Sequence, residues 1–126
     1  MRLVLDAGAL IAVERSDRSV TAAIKRQLTD GLVPLTHGGV VGQVWRGAGG
    51  RQAVLARALT FVEVRPLDLA LGRRAGLLLA QARTSDVIDA AVVLLASDGD
   101  WILTSDPGDL RPLVHAAGLH VDVIAV

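Results

Sequence analysis

Short apolar strands alternate with longer helices from one end of this chain to the other, and few folds accommodate that rhythm. Arg2–Leu5 reads as a strand and Ala7–Glu14 as a helix. Asp17 is a plausible N-cap for an amphipathic helix running to Thr29, which Asp30 and Gly31 stop. A strand over Leu32–Leu35 leads into a helix capped by Thr36 and ending near Arg46. The loop Gly47-Ala48-Gly49-Gly50 separates it from a helix over Arg51–Leu59. A strand at Phe61–Val64 precedes helices at Leu67–Ala80 and Ser85–Ala96. Trp101–Thr104 is the next strand, Pro107–Ala117 a helix with proline at its first position, and Leu119–Ile124 the last strand. This order predicts an α/β layered fold with a mainly parallel sheet of about five strands flanked by helices. Strands in such a sheet are buried on both faces, and 52% apolar residues, mostly Ala, Val and Leu, can supply them. A length of 126 residues suits a single domain spanning residues 1–126.

Composition removes several classes of function. There is no cysteine, hence no disulfide framework and no thiolate metal site, which is consistent with a cytoplasmic protein. The apolar start of the chain is broken by Asp6 and reads as a first strand, not a signal peptide. No apolar run approaches the length that spans a bilayer, so no membrane association is expected. Thirteen Lys and Arg balance thirteen Asp and Glu, so net charge does not announce a nucleic-acid partner. Lys25 is the only lysine; the arginines could serve phosphate, but with abundant Ala, Gly and Val they read first as a GC-rich coding bias.

The chemistry lies in the acids. Asp6 ends the first strand, Asp106 ends the strand at Trp101–Thr104, and Asp89 opens the apolar helix that follows Ser85. Singly, each has a structural explanation. Asp6 and Asp106 can cap the helices after them, and Asp86 with Asp89 can form a pair resembling a capping box. Jointly they converge, because function in such folds gathers at the carboxyl edge of the strands. Two carboxylates about 5 Å apart repel by about 3 kcal/mol at an effective dielectric of about 20. A bound divalent cation removes that penalty, so a shared metal site is the favoured reading.

The same segments resemble the motifs of PIN-domain ribonucleases, in particular the VapC-type toxins of toxin–antitoxin systems. Val4-Leu5-Asp6-Ala7-Gly8-Ala9-Leu10 is similar to the family's first motif, Ser85-Asp86-Val87-Ile88-Asp89-Ala90-Ala91 to its third, and Leu103-Thr104-Ser105-Asp106-Pro107-Gly108-Asp109 to its last. The resemblance spans nearly the whole chain and implies a PIN-like three-layer sandwich. It further implies an endoribonuclease using Mg²⁺ or Mn²⁺, a cognate antitoxin as partner, an RNA substrate and a homodimer. Carried over residue by residue, Asp6, Asp89 and Asp106 would hold the metal. Asp86 and Asp109 would support them or hold a second ion, and Thr104 and Ser105 would orient the carboxylates.

One position departs from the family pattern. Val40-Val41-Gly42-Gln43-Val44-Trp45-Arg46 falls where the second motif belongs, and Gln43 stands where the family has glutamate. An amide oxygen can ligate a hard cation but brings no negative charge, so weaker metal binding is expected. Arg46 matches the family's arginine after the second acid and could meet a phosphate or an acid; Arg51 and Arg57 follow, Arg57 reading better as a solvated face. Trp45 reads as core, and His37, His115 and His120 receive no role. The competing function is a PIN-fold module that binds RNA or protein without cutting. A phosphatase of the haloacid dehalogenase type is disfavoured because Gly8 stands where its second aspartate belongs, and a receiver domain because no late lysine exists.

Overall fold

In a computed structural model covering residues 1–126, five strands form one sheet in the order β3-β2-β1-β4-β5, every adjacent pair parallel. The strands are β1 (Leu3–Leu5), β2 (Leu35–His37), β3 (Glu63–Arg65), β4 (Trp101–Thr104) and β5 (Asp122–Ala125). The helices are α1 (Ala7–Glu14), α2 (Arg18–Thr29), α3 (Gly38–Val44), α4 (Gly50–Leu59), α5 (Leu69–Ala82), α6 (Val87–Leu95) and α7 (Pro107–Ala117). Helix α1 packs with α2, α3 and α4, while α5, α6 and α7 pack with one another, giving helical layers around the sheet. None of the helices is long and apolar enough to cross a membrane.

The core follows from the parallel arrangement. Leu3, Val4 and Leu5 of β1 and Ile102 and Leu103 of β4 are buried, as are Ala90, Ala91, Val92 and Val93 of α6. Small residues at the start of α6 leave room for close approach to its neighbours. The chain runs outward from β1 through β2 to β3, then crosses back to β4 and β5 on the other side. Strand order therefore reverses beside β1, and the crevice between the carboxyl ends of β1 and β4 is the switch point of the sheet.

Three strands begin later in the sequence than the apolar pattern predicts, for one reason. The residues just after α2, α4 and α7 are used to end those helices. Gly31 sits at φ +77°, and the Leu32 amide bonds back to the Gln27 carbonyl, so β2 starts only after Pro34. The amides of Phe61 and Val62 bond to Ala58 and Leu59, delaying β3 to Glu63. After Gly118, at φ +67°, the Leu119 amide bonds to Val114, and β5 starts at Asp122. Helix α3 is capped by His37 rather than Thr36, whose hydroxyl instead donates to the Leu5 carbonyl across the sheet (2.8 Å).

Gln27 holds the amino end of the central strand. Its buried side chain accepts a hydrogen bond from the Leu3 amide (3.0 Å) and donates to the Met1 carbonyl (3.2 Å). Gln27→Leu keeps the apolar bulk but leaves the buried Leu3 N–H without a partner. It is expected to cost about 1–3 kcal/mol, read as a lower urea midpoint at unchanged slope.

Candidate metal centre

Helices α1, α3, α6 and α7 start around the site, and aspartates stand at the amino ends of three of these four. Asp6 caps α1: its Oδ1 accepts from the Ala7 amide (2.8 Å). Asp86 caps α6, its Oδ1 accepting from the Asp89 amide (3.0 Å). Asp106 stands in the capping position of α7, yet its carboxylate makes no capping hydrogen bond. The fourth helix, α3, is capped by the imidazole of His37. The positive ends of helix dipoles favour carboxylates there.

Residues of β4 bind the acids together. The hydroxyl of Thr104 donates to Asp6 Oδ2 (2.7 Å) and accepts from the Asp106 amide (3.0 Å), so one buried side chain ties the ends of β1 and β4. Ser105 Oγ lies 3.4 Å from Asp106 Oδ2, a long contact. Gly8 is required at this joint: a Cβ there would come within 2.6 Å of the Ser105 backbone nitrogen. Asp6 is buried with both carboxylate oxygens occupied, Asp89 is half-buried, and Asp86, Asp106 and Asp109 are exposed.

The electrostatics show that these groups share one field. The Asp89 carboxyl is raised from its ordinary 3.8 to about 7, first by burial, then by the charges of Asp86, Asp6, Asp109 and Asp106. No Lys, Arg or His forms a salt bridge with any of the five; the ion pairs of the protein are Arg2 and Arg65 with Glu63, and His120 with Asp98. No three His, Cys, Asp or Glu side chains stand close enough together to hold a metal ion between them. The donors nevertheless fit a hard divalent cation in kind and charge: carboxylate oxygens, in excess, without a positive partner.

The second-motif residues make no hydrogen bond with this network. Gln43 is exposed and its side chain makes no hydrogen bond. The Arg46 guanidinium turns back onto the end of its own helix, bonding the carbonyls of Gly42, Gln43 and Trp45 (3.3, 3.2 and 2.7 Å). Arg51 and Arg57 are exposed. Trp45 is not core: it is 42% exposed, because α3 ends at Val44 and the chain leaves it in an extended conformation.

Two polar residues here escaped the sequence reading. Buried Gln52 accepts from the amides of Arg46 and Gly47 (2.6 and 3.0 Å) and donates to Glu14 (2.8 Å), fixing the exit from α3. Buried His37 bonds through Nε2 to the Ile88 carbonyl (3.0 Å), and its Nδ1 accepts from the Gly39 amide (3.0 Å). Burial lowers the pKa of His37, against the opposing effects of the Ile88 bond and the Asp6 charge. Its signal in the sequence was the polar pair Thr36-His37 inside a strand, followed by two glycines.

A second surface feature lies between α2 and α4. An apolar trough of about 610 Å³ is lined by Val13, Ile24, Leu28, Val54, Ala58 and Phe61 and rimmed by Arg18, Lys25 and Arg57.

No protein-family model matches the sequence, and no curated protein matches it. Among solved structures, the chain is similar to one in the crystal structure of VapBC2 from Rickettsia felis bound to a DNA fragment from their promoter. The TM-score is 0.70 at 12% sequence identity, covering 98% of this chain and 99% of that one. At that identity the likeness is one of fold. The architecture is the PIN-like three-layer α/β sandwich that the motifs imply.

The raised Asp89 carboxyl fixes a pH dependence. Folded Asp89 holds its proton to about pH 7, whereas the unfolded chain releases it near 3.8, so the folded state binds more protons between these values. Stability from this group is fully present below about pH 4 and is lost as pH rises through 7. Asp89→Asn is therefore expected to melt higher than the natural protein at pH 8, with the difference shrinking toward zero at pH 4. Thermal melts of both proteins across that range measure it.

Proposed function

We propose that this protein is a divalent-metal-dependent endoribonuclease, the toxin of a toxin–antitoxin pair. The observation that carries the reading is the group of five aspartates around one sheet switch point with no cationic side chain bonded to them. Asp6, Asp89 and Asp106 would hold Mg²⁺ or Mn²⁺, with Asp86 and Asp109 adding charge beside them. When bound, such an ion supplies an activated water and neutralises charge on a phosphodiester. The protein's part is to position donors and release protons. Thr104 keeps Asp6 Oδ2 in one orientation, and Asp106, free of capping duty, has Oδ1 unbonded and Oδ2 met only by the long Ser105 contact. Asp89 gives up its proton before its carboxylate can serve, so ion binding is coupled to proton release near neutral pH. Arg51, exposed at the start of α4, would meet the RNA backbone. Arg46 would do so only after leaving the carbonyls it caps.

The partner follows from the likeness to a VapBC structure together with the trough between α2 and α4. Its apolar floor and basic rim suit an antitoxin segment that carries apolar and acidic side chains. Leu69 and Leu77, both strongly exposed on α5, would serve pairing with a second copy. One observation favours the alternative of a binding module without cleavage: the exposed Gln43 amide makes no hydrogen bond to the acids.

The test is metal-dependent cleavage of single-stranded RNA by the natural protein, Gln43→Glu and Asp89→Asn, with ion binding followed separately by melting. Mg²⁺ or Mn²⁺ at about 100 times its Kd should stabilise the fold by about 2.7 kcal/mol. Asp89→Asn should lose both effects. Gln43→Glu should tighten ion binding and raise the cleavage rate where occupancy limits it. A natural protein that is as inert as Asp89→Asn on several RNAs, with either ion, makes the binding module the correct reading.

A further inference from the structure

We propose that His37 is a positioning residue for the metal centre: a neutral imidazole that pins the first turn of α6 to the end of β2 and so sets Asp89 against Asp6. The proposal rests on the reading of Asp89 as a metal ligand. His37 is the last residue of β2, and the pairing of Val4 with Leu35, carried forward two residues, brings it beside Asp6. It is fully buried, and both ring nitrogens are used. Because Nδ1 accepts from the Gly39 amide, the ring proton belongs on Nε2, which donates to the carbonyl of Ile88. Ile88 is the residue immediately before Asp89.

The contact closes a chain of short links between two distant acids. Asp6 leaves β1; the Thr36 hydroxyl holds the Leu5 carbonyl at 2.8 Å; His37 follows Thr36 and holds Ile88 at 3.0 Å; Asp89 comes next. Neighbouring side chains leave little slack. A Cβ on Gly39 would press on Ile88 Cδ1 and lie 2.9 Å from His37 Cε1, so α3, His37 and α6 pack closely here. An apolar residue at position 37 would fill the volume but hold neither α6 nor α3. The imidazole does both, and its two bonds can be separated by substitution.

In His37→Asn the side-chain oxygen occupies the place of Nδ1, keeping the bond from Gly39 and losing the one to Ile88. In His37→Gln the amide nitrogen occupies the place of Nε2, keeping the bond to Ile88 and losing the other. The experiment measures Mn²⁺ affinity by electron paramagnetic resonance, amide hydrogen exchange in α6, and melting temperature, for the natural protein, both variants and Asp89→Asn. The expected result is Mn²⁺ binding about 10-fold weaker in His37→Asn, with faster exchange in the first turns of α6, and binding close to natural in His37→Gln. Equal losses of affinity in the two variants, tracking melting temperature, would make His37 a core residue only and overturn the proposal. Natural affinity in His37→Asn would also overturn it. If His37→Asn does not fold, a folded His37→Gln with natural affinity supports the role and one with weakened affinity overturns it. Mn²⁺ binding by the natural protein that Asp89→Asn leaves unchanged removes the ligand reading itself, and the exchange data then report only on packing.

Discussion

Repulsion among carboxylates is the constraint around which this structure is arranged. Asp6, Asp86, Asp106 and Asp109 all act on Asp89, and no cationic side chain is bonded to any of the five. A parallel sheet makes that tolerable in a way an antiparallel one would not. Every strand delivers its carboxyl end to one edge, and the following helix begins there with its positive dipole end toward the same space. Unpaired amides at helix starts take up some of the negative charge, as Ala7 does for Asp6 and the Asp89 amide does for Asp86. The carboxyl of Asp89, the half-buried member, is raised first by its burial and then by its four acid neighbours.

Capping and the proposed metal binding, which look like competing explanations of an aspartate in a sequence, are compatible in this site. Asp6 caps a helix with one oxygen and accepts the Thr104 hydroxyl with the other. Asp86 is committed to its cap, and Asp106 occupies a capping position without capping. The acids thus divide between groups that hold the frame and groups whose oxygens remain available.

The alternation of strand and helix, the parallel sheet and the location of the acids at its carboxyl edge were all legible in the sequence. They depend on local pattern and on a rule of topology. Strand beginnings were not. Leu32, Phe61 and Leu119 are apolar and carry a strand-like signal, but each lies in the turn that finishes the preceding helix. Hydrophobicity marks burial without distinguishing a strand from a helix exit. Trp45 was misjudged as core because its exposure depends on α3 stopping at Val44 rather than near Arg46. His37, Gln27 and Gln52 were hidden for another reason. Each is a buried polar side chain with at least one partner distant in sequence, the Leu3 amide for Gln27, the Ile88 carbonyl for His37 and the Glu14 carboxylate for Gln52, and only folding brings those groups within reach.

Both glutamates of the chain are engaged elsewhere, Glu14 with Gln52 and Glu63 with Arg2 and Arg65. The acidic edge is therefore made of aspartates alone. Aspartate has one methylene fewer than glutamate, and here two of the five are fastened to backbone amides at helix starts. Such groups have little room to rotate toward a guest. Adjusting the distance between them means sliding a helix on the sheet. For the proposed metal centre, selectivity between ions of different radius would be a mechanical property of how α6 and α7 are seated, set by the alanines and valines beneath them as much as by the acids themselves.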